Sequence, residues 1–221
     1  MKKFKWMIGI IIILVIGFLG FKLAKSVHIN MEQNQQLQNN QNQIAETQKK
    51  EAEAKHKFAV SIAEPSIKVY KKNHQVLPSI VVAQAIQESN WGTSALYKKA
   101  NNIFGIKGHY KGQSIRYYTD EYVSNDTQTP KGAKIVREGD QKKVSVPATF
   151  RKYPSILEAI ENHDRVIALN FIKKKNVSSY VEQAKMLQEN GYATDPNYSK
   201  SLINLIRQYN LEKYDDKAVN G

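Results

Sequence analysis

The sequence predicts a mainly helical α+β domain with one small β-hairpin, set behind an N-terminal apolar helix and a polar stalk. Three observations carry this. Residues 6–21 form an uncharged apolar run preceded by lysines. Residues 30–56 are almost all Gln, Asn, Glu, Lys and Ala. From Phe58 onward, apolar residues recur at helical spacing, broken by one region in which they alternate.

The first element follows Lys2, Lys3 and Lys5. WMIGIIIILVIGFLGF spans about 24 Å as a helix, slightly short of a hydrocarbon core of roughly 30 Å. Leu23 and Ala24 lengthen it if Lys22 snorkels to the interface. Residues 6–24 are therefore expected to cross a membrane, within an N-terminal unit of residues 1–28. The competing reading is a cleaved signal peptide, but LGFKLAKS is bulky and basic where a small-x-small site would stand. The leading lysines favour a cytoplasmic N-terminus and place everything after Lys25 outside. Residues 29–57 cannot bury a core and read as a partly helical stalk.

The main domain is expected over residues 58–214, with a tail at 215–221. Pro78 suits a first helical turn and opens SIVVAQAIQES. Thr93 or Ser94 caps a short helix through Leu96–Ala100. SIRYYTDEY (114–122) and KKVSVPATF (142–150) alternate and pair as a hairpin around a long polar loop, and Pro147 assigns the second to a sheet edge. Ser155 with Glu158, and Ser179 with Glu182, form capping boxes for two helices. Gly191 ends the second of these. Asp195 caps, and Pro196 opens, a last helix on which Tyr198, Leu202, Leu205 and Tyr209 share a face.

Composition removes several chemistries. There is no cysteine, so disulfides, thiolate metal sites and thiol nucleophiles are excluded. The five histidines show no HExxH or comparable spacing, and neither GxSxG nor a Gly-rich phosphate loop is present. No metal and no cofactor are expected. The formal net charge of +13 suits a polyanionic neighbourhood such as a membrane face, a cell wall or nucleic acid. The basic residues are dispersed and carry no nucleic-acid motif, so no nucleic-acid partner is expected.

Glu88 is the residue out of place. Val81, Ala85 and Glu88 stand at i, i+4 and i+7, so an inward apolar stripe ends in a carboxyl group. Trp91 is placed to cover it, and Gly92 lets the backbone turn and leaves space beside it. Desolvation there should raise the carboxyl pKa, which suits a general acid. By position alone, a solvated structural glutamate at a helix end is the commoner reading.

AQAIQESNWGTSAL, NNIFGIKG, YYTDEY, ATFRKYPS and GYATDPNYSKSLINLI, in this order, resemble the cell-wall glucosaminidases of glycoside hydrolase family 73 over about residues 65–214. The resemblance implies a lysozyme-like helical fold and cleavage of the β-1,4 bond between N-acetylglucosamine and N-acetylmuramic acid in peptidoglycan. It also implies that Glu88 matches the catalytic acid, Glu121 the second carboxylate and Tyr192 a tyrosine lining the cleft. Two carboxylates flanking a glycosidic bond are the common glycosidase arrangement. Asp120 and Glu138 are rivals to Glu121, because the 123–141 loop is longer than the family's usual turn.

Trp91, Phe104, Tyr118 and Tyr153 are candidate sugar platforms, and Phe104 fits core packing as well. Asn101 and Asn102 either bind N-acetyl groups or make a turn. The expected partner is the peptidoglycan glycan strand. Competing functions are a non-catalytic wall-binding protein, and a muramidase or lytic transglycosylase on the same fold.

Overall fold

A computed structural model describes residues 2–124, 128, 131–137 and 142–221; for residues 2–16, 18, 24, 26, 27, 29, 121 and 122 it describes the backbone alone. The chain divides into two units, Met1–Ala54 and Lys55–Gly221.

The first unit is helical throughout its described length, as the N-terminal part of α1 (Lys2–Asn73). Residues 30–54 are exposed at every position, as their composition requires. Among the described residues no helix is long and apolar enough to cross a membrane. The side chains of residues 2–16, most of the expected span, lie outside the description.

The second unit holds the core. It begins with the last turns of α1, where Phe58, Ala59, Ile62, Ala63, Val69 and Tyr70 are buried at helical spacing. Next comes α2 (Pro78–Ser89), buried at every position from Pro78 to Ile86. This helix is the centre of the domain. Its neighbours are α5 (Tyr180–Glu189), α6 (Tyr198–Gln208) and α7 (Lys213–Val219). A helix buried on all sides must satisfy its terminal backbone groups with protein partners. Leu77 N donates to Gln183 Oε1 at 2.9 Å, and Ser79 N donates to Asp215 Oδ1 at 2.7 Å. The chain from 215 onward, expected as a tail, is thus part of a helix that closes the N-terminus of α2.

Ser94 caps α3 (Ala95–Ala100) by accepting from Tyr97 N. The sheet has three strands rather than two: β1 (Ser114–Val123), β2 (Lys134–Arg137) and β3 (Lys142–Arg151), in the order β1-β3-β2. β3 is therefore central, which corrects the edge position expected from Pro147. The proline is tolerated because β2 pairs only with Lys143, Val144 and Ser145, leaving β3 free of that neighbour at Pro147.

Ser155 caps α4 (Ile156–Ile167) and Ser179 caps α5, accepting from Glu158 N and Glu182 N respectively. Neither glutamate completes a box: Glu158 pairs with Lys111 and Glu182 with Lys174. A π-helical turn, Ala168–Ile172, follows α4. Asp195 does not cap α6. Its Oδ1 accepts from Asn197 N at 2.8 Å, closing a turn one residue earlier, and the helix starts at Tyr198.

Candidate active site

The C-terminal end of α2 carries the candidate site. Ser89 Oγ donates to Ala85 O and accepts from Gly92 N, tying off the last turn. The backbone then runs left-handed through Asn90, Trp91 and Gly92, with φ of 47°, 56° and 73°. For a bulky tryptophan that conformation is unfavourable, and it persists only where packing enforces it. The packing is visible. The Trp91 ring lies 4.6 Å from Tyr209 and 6.2 Å from Phe58, and Lys55 Nζ is 5.6 Å from its centroid. Trp91 is therefore a wedge between α1 and the end of α6. The aromatic groups whose electrostatics couple to Glu88 are Tyr192 and Tyr198. Gly92 likewise makes room for the Phe58 ring rather than for the carboxyl: a Cβ there would stand 2.6 Å from two ring atoms.

Glu88 emerges one turn beyond the buried face of α2. Its side chain reaches solvent, yet the surrounding protein desolvates the carboxyl and pushes its pKa above the ordinary range. Tyr198 is buried and Tyr192 half-buried, and both phenols are held well above the usual tyrosine range, first by desolvation, with the Glu88 charge adding to it.

Tyr192 is positioned from α5. Gly191 takes a left-handed φ of 77°, and Tyr192 N returns to Leu187 O at 2.9 Å, an ending that turns the next side chain back toward the helices. Phe171 meets the Tyr192 ring edge-on at 5.2 Å. Gln188 fastens the following loop, donating to Pro196 O and accepting from Ser199 N. Tyr198 opens α6, its hydroxyl accepting from Gln84 Nε2 at 2.9 Å. Gln84 stands one turn before Glu88 on α2 and is fully buried. Sequence reasoning missed both groups. It read Tyr198 as a core residue, and the available signal was Gln84, an uncharged polar residue inside an otherwise apolar helix.

On the sheet, Glu121 occupies β1 opposite Val144. Its side chain, and all of Glu138, lie outside the described residues. Asp120 is committed elsewhere: its Oδ2 lies 2.8 Å from Lys143 Nζ, and bonds from Lys143 and Ser145 hold its pKa below the ordinary range. Tyr117 and Tyr118 line an open depression of about 810 Å³ together with Leu96, Lys107 and Arg116. Tyr118 is 48% exposed, with Lys134 Nζ 5.6 Å from its ring, and so keeps a free aromatic face near a cation.

Four candidates move from groove to scaffold. Phe104 is 5% exposed and stacks on His163 at 3.7 Å. Tyr153 is buried and donates its hydroxyl to Asn162 Oδ1. Asn102 donates from Nδ2 to Ile106 O and Arg151 O while its Oδ1 accepts from Ile106 N, so its amide is fully used by the backbone. Asn101 adopts φ 50° at the end of α3 and donates to Tyr153 O. Among the described residues no group of three or more His, Cys, Asp or Glu is disposed to hold a metal ion.

Residues 64–211 match the glucosaminidase family, described as mannosyl-glycoprotein endo-beta-N-acetylglucosaminidase. The chain is 33% identical to the exo-glucosaminidase LytG of Bacillus subtilis, over 98% of this chain and 69% of that protein. It is 37% identical to an autolysin of Enterococcus faecalis over 65% of this chain, but that covers only 19% of the autolysin. The catalytic domain of the autolysin Auto from Listeria monocytogenes superposes with a TM-score of 0.59 at 32% identity, over 73% of this chain and 87% of that domain. The match spans α2, the sheet and α4–α6, so the helix end that carries Glu88 lies inside it, and the chain belongs to the glucosaminidase family.

Proposed function

We propose that this protein is a peptidoglycan hydrolase that cleaves the β-1,4 bond between N-acetylglucosamine and N-acetylmuramic acid, with Glu88 as the general acid. The observation that carries the reading is the place of Glu88, at the solvent-facing end of a helix buried from Pro78 to Ile86 and inside the stretch that matches the glucosaminidase family, with surrounding protein raising the carboxyl pKa. A carboxyl whose pKa is raised holds its proton to higher pH and can give it to the glycosidic oxygen as the C1–O bond breaks. Positive charge then develops at the anomeric carbon. Glu121 on β1 is the carboxylate assigned to meet it, by activating water or alongside the substrate's own N-acetyl group. The exposed face of Tyr118, in the depression it lines with Tyr117, suits a sugar ring.

Residues 6–24 are proposed as a membrane anchor with the N-terminus cytoplasmic, which would hold the domain against the wall. The lysine-flanked apolar run supports this, and a mature N-terminus mapped beyond Phe21 would remove it. For the reaction, fragments released from purified wall should be analysed by mass. A reducing N-acetylglucosamine end is expected. A reducing N-acetylmuramic acid end would make the protein a muramidase, an anhydro end a lytic transglycosylase, and no release a wall-binding protein.

A further inference from the structure

Arg151 ends β3 in a clamp. Its Nη1 donates to Asn162 Oδ1, and its Nε donates to Lys107 O at 3.2 Å. Asn162 is 3% exposed, and the same Oδ1 accepts from Tyr153 Oη at 2.8 Å. A guanidinium can only donate, so the amide oxygen must face Arg151 and the amide nitrogen is left over. That Nδ2 has no protein partner among the described residues, yet it is not among their sealed polar atoms. Asn162 lines an open cavity of about 440 Å³, and its spare donor faces that space. A nearly buried amide with an idle N–H is costly unless something bonds it.

The cavity is also lined by His109, Lys111, Glu161 and Arg165. Two of these charges are cancelled by neighbours. Lys111 Nζ lies 2.7 Å from Glu158, and Glu161 lies 3.0 Å from Lys72 Nζ. The guanidiniums of Arg151 and Arg165 remain. Arg165 stands three residues after Asn162 on α4, so the two share a face, and it has no ion-pair partner among the described residues. The cavity is distinct from the depression of Tyr117 and Tyr118. Phe150 lines that depression and Arg151 lines this cavity, and consecutive strand residues point to opposite faces.

We propose that this cavity is a second binding site, for a phosphodiester group of an anionic polymer, held by Arg151, Arg165 and Asn162 Nδ2. The donors come from two elements, the end of β3 and the exposed face of α4. A planar carboxylate is satisfied by one arginine fork, whereas a tetrahedral phosphate offers oxygens to donors on several sides. Arg151 is held in advance by Asn162 and Lys107 O, so little side-chain freedom is lost on binding. A single polymer strand can enter a concave site and reach a half-buried arginine, which a flat lipid surface does not. The formal net charge of +13 favours encounter with such a polymer. The site stands apart from Glu88, and the proposal is independent of the catalytic reading.

The test is calorimetric titration of the full chain, in neutral detergent micelles, with soluble glycerol phosphodiester oligomers, and thermal melts on each variant. Wild type is expected to bind. Arg165→Ala removes an exposed side chain and should weaken binding by about tenfold without changing the melting temperature. Asn162→Asp keeps the oxygen that Arg151 and Tyr153 use and replaces the Nδ2 donor with a second oxygen, so it should abolish binding in a folded protein. Lys200→Ala, an exposed change of the same charge on α6, should leave binding within about twofold. No binding by wild type, or equal losses in Arg165→Ala and Lys200→Ala, would overturn the proposal, since attraction would then follow net charge alone. Polyglutamate bound as tightly through Arg165 would overturn the preference for phosphate. Displacement of the oligomers by phosphatidylglycerol doped into the micelles at equal phosphate would assign the site to lipid headgroups and overturn the polymer. Should Asn162→Asp fail to fold, Arg165→Ala against Lys200→Ala decides.

Discussion

Asp215, on α7, closes the N-terminus of the helix that carries Glu88. Its Oδ1 accepts from Ser79 N at 2.7 Å and its Oδ2 from Ser79 Oγ at 2.6 Å. Leu77, in the N-cap position, has no side chain able to cap, and Pro78 has no N–H. The cap is therefore supplied from α7, and a carboxylate there also faces the positive end of the helix dipole. The last helix is thereby part of the platform for the site.

This pairing predicts a pH dependence. Burial is the largest influence on Asp215 and, with Asp216 and Glu212 nearby, pushes its pKa from 3.8 to about 6 despite the opposing bonds from Ser79. The folded pKa is above the unfolded one, so between about pH 4 and 6 the native state binds more protons. Stability should fall as pH rises through that window, by about 3 kcal/mol at most. Asp215→Asn keeps an acceptor for Ser79 N and cannot ionise. Its melting temperature should vary less than wild type between pH 4 and 7, and Asp215→Ala, which cannot ionise either but offers no acceptor, should be about 1–2 kcal/mol less stable than Asp215→Asn throughout that range. Parallel melting curves for wild type and Asp215→Asn would show that Asp215 titrates normally.

Gly92 predicts a steric effect. Its φ is +73°, and a Cβ would meet Phe58 Cδ2 and Cε2 at 2.6 Å. Gly92→Ala should destabilise by about 1–3 kcal/mol in urea melts, from strain plus overpacking. Phe58→Leu in the same molecule should recover part of that loss. No recovery would locate the cost in the backbone alone.

Asn102 predicts a separation of stability from binding. Its three bonds join the 103–106 turn to Arg151 at the end of β3. Asn102→Ala should cost about 2–4 kcal/mol, because buried backbone groups lose their partners. KM of the folded variant should stay within about twofold of wild type. A large rise in KM without loss of stability would return Asn102 to the sugar groove.

Asn102 also shows what the sequence could and could not convey. Helical spacing, Pro78, Ser94, Ser155 and Ser179 each act locally, so the helices and their starts were legible. Glu88 was legible because it breaks a stripe, and the order of motifs placed Tyr192 with it. Contacts made across the chain were not. Nothing near Ser79 announces Asp215, and nothing near Gln84 announces Tyr198. An asparagine spent on backbone carbonyls reads like one free for a ligand, and Trp91 reads like a lid until the left-handed turn swings it onto Phe58 and Tyr209. The place of β3 at the sheet centre depended on β2, hidden in a loop whose polar sequence shows only Ile135 and Val136 side by side.

Glu88 gives the last prediction. Its raised pKa arises from desolvation, so the acting, protonated form should persist above the pH at which an exposed glutamate is ionised. Activity should then fall as pH rises through that raised value, giving an alkaline limb in kcat that belongs to Glu88. Glu88→Gln preserves the shape and cannot donate, so wall hydrolysis should drop by about 10²–10⁴-fold. Whatever rate remains should lack the limb. The same substitution removes a group that is harder to ionise in the folded state than in the unfolded one. Its melting temperature should therefore decline less than wild type as pH rises from about 4.5 through the raised pKa. The two measurements are independent, one on rate and one on stability. An alkaline limb that survives in folded Glu88→Gln would assign the proton donor to another residue.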